Sequence, residues 1–169
     1  MANIMYDSFF TDLMDGEIDL KDGTYPIKMA LLNNHSPSAG HSTFNDVKDD
    51  EAVLDPAGNL PEGEDPETEP AKPAAPSGYT AGGVVLTGIE LTNKTFKANS
   101  PTWTIEDATL TATHGVIYQD TENAETSQLI CCLDFGGAKV VVSENTRPSS
   151  TPANFTVNLH ASGVFSFSA

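Results

Sequence analysis

The sequence predicts a mainly β protein, an antiparallel β-sandwich or small β-barrel with one short N-terminal helix and a long acidic, proline-rich excursion. Three observations lead there. Short runs of alternating apolar and polar residues recur along the chain, about eight or nine of them, separated by Gly, Asn and Pro. Strands do not alternate with helices, which argues against a doubly wound parallel sheet. Residues 46–76 hold ten acids and six prolines, a composition that buries too little apolar surface to offset its ordering entropy. The chain of 169 residues is therefore read as one β domain, with 46–76 as an insertion in it.

At the N-terminus Tyr6, Phe9, Phe10, Leu13 and Met14 recur at helical spacing. Asp7 or Ser8 would cap the start and Gly16 would stop the helix. Residues 21–24 (Lys-Asp-Gly-Thr) make a turn, and Tyr25-Pro-Ile-Lys-Met-Ala-Leu-Leu32 reads as a strand entered or edged at Pro26. In 46–76 only Lys48 and Lys72 oppose the acids, so half of the net charge of −16 falls there. Like charge and proline both extend such a segment.

Residues 78–169 read as β almost throughout. Val84-Val-Leu-Thr-Gly-Ile-Glu-Leu91 leads to a turn at Thr92-Asn-Lys94 and a short strand at Thr95-Phe-Lys97. Trp103 and Ile105 alternate with threonine. Leu110, Ala112, His114, Val116 and Tyr118 share one parity, with a bulge or close approach at Gly115. Gln128-Leu-Ile-Cys-Cys-Leu-Asp-Phe135 is apolar on both faces, as a central strand would be, and Gly136-Gly137 would end it before a separate strand at Val140-Val-Val-Ser143. The segment Arg147-Pro-Ser-Ser-Thr-Pro152 reads as a loop. Phe155, Val157 and Leu159 alternate with polar residues, and Ala161-Ser-Gly163 turns into a last strand at residues 164–168.

Charge narrows the function classes. Eight basic against 24 acidic residues argue against nucleic acid and against an anionic membrane surface. No apolar run reaches the roughly 18 residues of a membrane span, and the first 13 residues lack the pattern of a signal peptide, so synthesis in a cytoplasm is expected.

The sequence offers no catalytic spacing. His35, His41, His114 and His160 are scattered, with no HExxH and no pair at metal-ligand spacing, so no metal and no cofactor is expected. His114 and His160 read as cross-strand hydrogen-bonding residues, and Asp134 as a strand-end acceptor. A Cys132–His114 pair is the weak case for a nucleophile. Adjacent Cys131 and Cys132 would point to opposite faces of a strand, one buried and one outward, and the outward thiol is a candidate for an intersubunit bond.

The opening Tyr6-Asp-Ser-Phe9, with Asp12-Leu-Met-Asp-Gly16 and Ile27-Lys-Met-Ala-Leu-Leu32, resembles small structural proteins encoded in the head region of tailed-phage genomes. The resemblance continues in Gly78-Tyr-Thr-Ala-Gly-Gly83, Val85-Leu-Thr-Gly88, Trp103 with Ala108-Thr-Leu-Thr-Ala112, Gly115-Val-Ile-Tyr118 and Leu129-Ile-Cys-Cys-Leu-Asp-Phe-Gly136. It covers most of the chain outside the acidic stretch and rests on the order of these pieces. It implies a virion structural protein, specifically a capsid decoration (cement) protein on the outside of the head, partnered with the major capsid protein and without enzymatic activity. Such a protein is expected to be a homo-oligomer, a trimer before a dimer. The candidate contact residues are Tyr6, Phe9, Phe10 and Leu13 on the helix, or else an edge strand that extends a neighbour's sheet; equally, the helix is a lid on one end of the body. The rival expectation is a tail- or fibre-associated β-sandwich that recognises host surface carbohydrate through Trp103, Tyr79 and Tyr118.

Overall fold

The computed structural model describes residues 3–20, 24–56, 78–146 and 149–166. In chain order the elements are β1 (Ile4–Met5), α1 (Asp7–Asp15), β2 (Ile27–Leu32), β3 (Leu54–Pro56), β4 (Val84–Val85), β5 (Glu90–Thr92), β6 (Thr95–Lys97) and β7 (Thr102–Ile105). They continue with β8 (Ala108–Gln119), β9 (Leu129–Val142), β10 (Glu144–Thr146), β11 (Ser149–Thr151), β12 (Ala153–Thr156) and β13 (Phe165–Ser166). The protein is mainly β, its strand pairs are antiparallel and α1 is its one α-helix among the described residues, as the sequence predicts.

The main sheet runs β1-β9-β8-β2-β4, and β3 lies beside the first part of β8. The long β8 and β9 are its spine. Along β2 the register sets Ile27 opposite Gln119 and Leu32 opposite His114, and along β3 Leu54 lies opposite Leu110. Smaller sheets, β7–β12 and β5–β6–β13, supply the second layer. Phe96, Trp103, Ile105 and Phe155 from that layer pack into one core with Met29, Leu31, Leu110, Ala112 and Ile117 of the main sheet. Phe96 and Phe165 stack with ring centroids 4.9 Å apart. Each buried Leu, Ile, Met or Phe among them contributes about 1.5–3 kcal/mol, so this layer-to-layer contact is a major source of stability.

The opposite face of the main sheet is covered over β2, the later part of β8 and the first part of β9. Tyr6, Phe44 and Val47 close over Ala30, Leu32, Val116, Tyr118, Leu129 and Cys132. Phe44 lies flat on Tyr118, with centroids 4.3 Å apart. Here the expectation for the cysteines needs correction. Cys131 and Cys132 do face opposite ways, but both faces of the sheet are packed, so both thiols are buried and neither points outward.

β9 differs from the reading that ended it at Gly136-Gly137. The strand continues through both glycines, which take φ of 70° and 118°. Residues 135–138 lie opposite Thr113 alone, between the pairs His114–Asp134 and Ala112–Lys139. The glycines make a bulge rather than a stop, because positive φ lets the ladder resume after extra residues. The same irregularity breaks the single parity read for β8. Leu110 and Ala112 face the main core, whereas Val116 and Tyr118 face the other side and Ile117 returns to the first.

Residues 46–56 of the acidic segment are folded onto the body, where the composition predicts an exposed excursion. Residues 44–46 and 48–50 form 3-10 turns, Glu51 bridges to Leu32, and β3 carries the chain to residue 56. Val47 and Ala52 are buried and anchor this stretch among its acids. Ala52 donates its N–H to Leu31 O at 2.8 Å. Most of the excursion expected over 46–76, residues 57–76, lies outside the described residues. So do residues 21–23 of the expected turn. The segment read as a loop around Arg147 includes a short hairpin, β10–β11, with Glu144 opposite Thr151.

Candidate functional site

The helix was the first candidate for a contact surface, and packing divides its residues. α1 follows Tyr6, whose backbone is extended, and ends at Gly16 in the left-handed conformation with φ 78°. No side chain caps its start; Asp7 N–H donates to Ala39 O at 2.9 Å instead. Tyr6 and Phe9 are fully buried. Tyr6 enters the core on one side of the sheet and Phe9 the core on the other, where its ring meets Phe165 edge-on at 5.7 Å. Leu13 is half-buried against the same core. Of the four predicted contact residues only Phe10 is exposed, at 47%, and Met14 one turn on is exposed at 81%. The helix is a plug with a small apolar outer face, because a helix this short cannot bury one stripe and offer an equally wide second one.

The aromatic platform expected of a carbohydrate-binding surface is not assembled. Trp103 and Tyr118 are buried and Tyr79 is half-buried. Tyr118 spends its hydroxyl on Gly82 O at 2.7 Å.

Tyr79 belongs to a polar clamp. Its hydroxyl donates to Glu51 Oε1 at 2.6 Å and accepts from Leu31 N–H at 3.0 Å, while Gly82 N–H donates to the same carboxylate oxygen at 2.6 Å. Burial raises the pKa of Glu51 above the ordinary glutamate value, against the opposing pull of these two donors. Tyr79 is held well above its usual range by the same burial and by the neighbouring carboxylate.

Three of the histidines gather where the sequence saw scatter. The ring of His35 lies 5.7 Å from His41 and 5.8 Å from His114 between centroids. His35 Nδ1 bonds Asp50 Oδ2 at 2.7 Å, and His114 Nδ1 meets Thr113 Oγ1 at 2.9 Å. Burial lowers the pKa of His114 and favours its neutral form. Among the described residues no group of three or more His, Cys, Asp or Glu side chains is placed to hold a metal ion. Asp134 accepts from Gly136 N–H at 2.8 Å, within the bulge. Cys132 pairs in register with Val116 and His114 with Asp134, two positions apart along β8. Burial pushes the Cys132 thiol up to about 11, so it is protonated near neutral pH.

An apolar groove lies elsewhere on the body. A groove of about 400 Å³ runs between β9 and β12, lined by Phe135, Lys139, Val141, Asn154, Phe155 and Val157 among others. On the other face of β9, which alternates with the groove side at Lys139 and Val141, Val140 and Val142 are 55% and 54% exposed. Residues 135–169 contain one acid, Glu144, against Lys139 and Arg147, so this part of a strongly acidic chain is almost uncharged. In the sequence Val140-Val-Val-Ser143 reads as a strand and not as a surface. The available signal was the charge asymmetry between residues 1–134 and 135–169.

No family model, no curated protein and no solved structure matches this chain.

Proposed function

We propose that this protein is a capsid decoration protein: it binds the outside of a phage head through the major capsid protein and stabilises the shell, with no turnover of a ligand. The observation that carries the reading is a two-layer β body whose β9–β12 groove makes an apolar strip in a nearly uncharged part of a chain of net charge −16. A lattice-binding protein needs such a strip to grip neighbours, and it needs strong charge elsewhere to stay dispersed until it binds. The order of motifs from Tyr6 to Gly136 supports the same role by resemblance. Many weak contacts repeated over one lattice add through multivalency, so each interface can be modest. Phe10 and Met14 on the outer face of α1 are the contact residues this reading keeps from the helix; Tyr6 and Phe9 are committed to the cores.

Virions with and without the protein provide the test. Hundreds of copies per particle, and a lower bursting temperature in particles that lack it, are the expected results. Equal heat resistance of the two preparations would overturn the cementing role.

A further inference from the structure

We propose that the open edge of β9 over residues 138–142 pairs antiparallel with the same edge of a second copy, about a twofold axis at Val140. The inference goes beyond shell binding and does not depend on it.

β9 has β8 on one side, with Lys139 opposite Ala112 and Val142 opposite Thr109. On its other side β1 reaches Cys131 and Cys132 and no further. Among the described residues no strand flanks 138–142 on that side. An edge of this kind presents a row of backbone donors and acceptors that another strand can satisfy. Natural edges are usually blunted by charge, proline or shortness; this one carries Val140 and Val142, both more than half exposed, and Lys139 as its one charge. The Gly136-Gly137 bulge leaves open space, since a Cβ built on either glycine would meet nothing within 4 Å.

Charge selects a second copy as the occupant. Two chains of net charge −16 repel across most of their surfaces. They meet without opposing carboxylates at the β9 edge, because residues 135–143 contain no acid. A basic partner would find nothing to attract it here, and an acidic one would find Lys139 alone. Antiparallel self-pairing is closed and self-complementary, as a twofold interface must be. Centring it on Val140 sets Lys139 opposite the second copy's Val141, so the two lysines are not paired directly. It also stacks Val140 on its own symmetry mate, a favourable β-branched cross-strand pair.

Sedimentation equilibrium of the full chain tests this. The wild type is expected to show a concentration-dependent monomer–dimer equilibrium complete at about 100 µM, well above the micromolar Kd range of a modest interface. Val140→Lys places like charges across the axis and is expected to weaken the dimer at least about tenfold, while Val85→Lys, on the exposed β4, leaves it unchanged. Val140→Cys is expected to form a disulfide-linked dimer on mild oxidation, with the native thiols buried and silent. Should the lysine variant misfold, the cysteine variant decides. A wild type that stays monomeric at that concentration, an oligomer indifferent to Val140→Lys, or a Val140→Cys chain that does not cross-link would each overturn the proposal.

Discussion

Glu51 and Tyr79 lie on the two sides of residues 57–77 in sequence, and their side chains are joined by a hydrogen bond of 2.6 Å. The bond ties the stretch that leads into β3 to the segment that leads into β4. Gly82 N–H on the same carboxylate and Tyr79 on Leu31 extend the staple to β2.

Glu51→Ala is expected to lower stability by about 1–3 kcal/mol, since it takes a half-buried acceptor from the Gly82 N–H and leaves the Tyr79 hydroxyl only Leu31 O, at 3.3 Å. Glu51→Gln keeps an acceptor and removes the charge, so its cost is smaller. The pH dependence has a definite sign. Burial raises the Glu51 pKa in the fold, so between the unfolded value, about 4.3, and the raised one the folded state binds more protons. Stability from this group is therefore highest at low pH and is lost as pH rises through that window. Urea denaturation of wild type and Glu51→Gln across pH 4–8 isolates it: the stability of the wild type relative to the variant should decline with pH, and a flat or rising difference would refute it.

Gly83 is a backbone contact point. It has φ 70°, and a Cβ there would lie 1.9 Å from Met29 O. Gly83→Ala must push the 78–83 segment off β2 and is expected to cost more than about 2 kcal/mol, the range of severe local clashes. Gly137→Ala also has an unfavourable φ, 118°, but meets nothing within 4 Å, so it should cost about 1 kcal/mol, from conformation alone. Thermal melts of both variants give the comparison; equal losses would mean that the contact at Gly83 relaxes freely.

Cys131 and Cys132 are buried on opposite faces of β9. Burial raises both thiol pKa values, Cys132 to about 11, so neither is a ready thiolate. The native protein is expected to resist a soluble thiol reagent such as DTNB, and both thiols should react once the chain unfolds in denaturant. Rapid labelling of one thiol in native buffer would show that one face of the sheet is open.

The acidic segment should be separable from folding. Replacing residues 57–77 with a Gly-Ser linker of equal length is expected to keep the melting temperature within a few degrees, because their acid- and proline-rich composition offers little apolar surface to bury. A deletion that begins at Asp49 should instead destabilise strongly, since it removes the Glu51 clamp, buried Ala52 and β3. Failure of the linker variant to fold would assign residues 57–77 a structural role.

By itself the sequence determined the kind of element at most positions. Alternation of Trp103 and Ile105 with threonine specified a strand with one buried side, Gly16 stopped the helix, and Asn93-Lys94 made a tight turn, with φ of 51° and 63°. These features were legible because periodicity and turn chemistry act over a few residues. Tertiary structure alone decided which side of each element is covered. Phe9 and Phe10 are adjacent in the helix, yet one is buried under Phe165 and the other faces outward, and nothing local distinguishes them. The second face of the sheet closes because Phe44 and Val47 pack on it from within a polar, acid-rich stretch. The β9 edge stays open because β1 stops at Cys131 and Cys132. Each of these outcomes depends on segments tens of residues away, and burial is a property of what arrives to cover a face, which no local pattern carries.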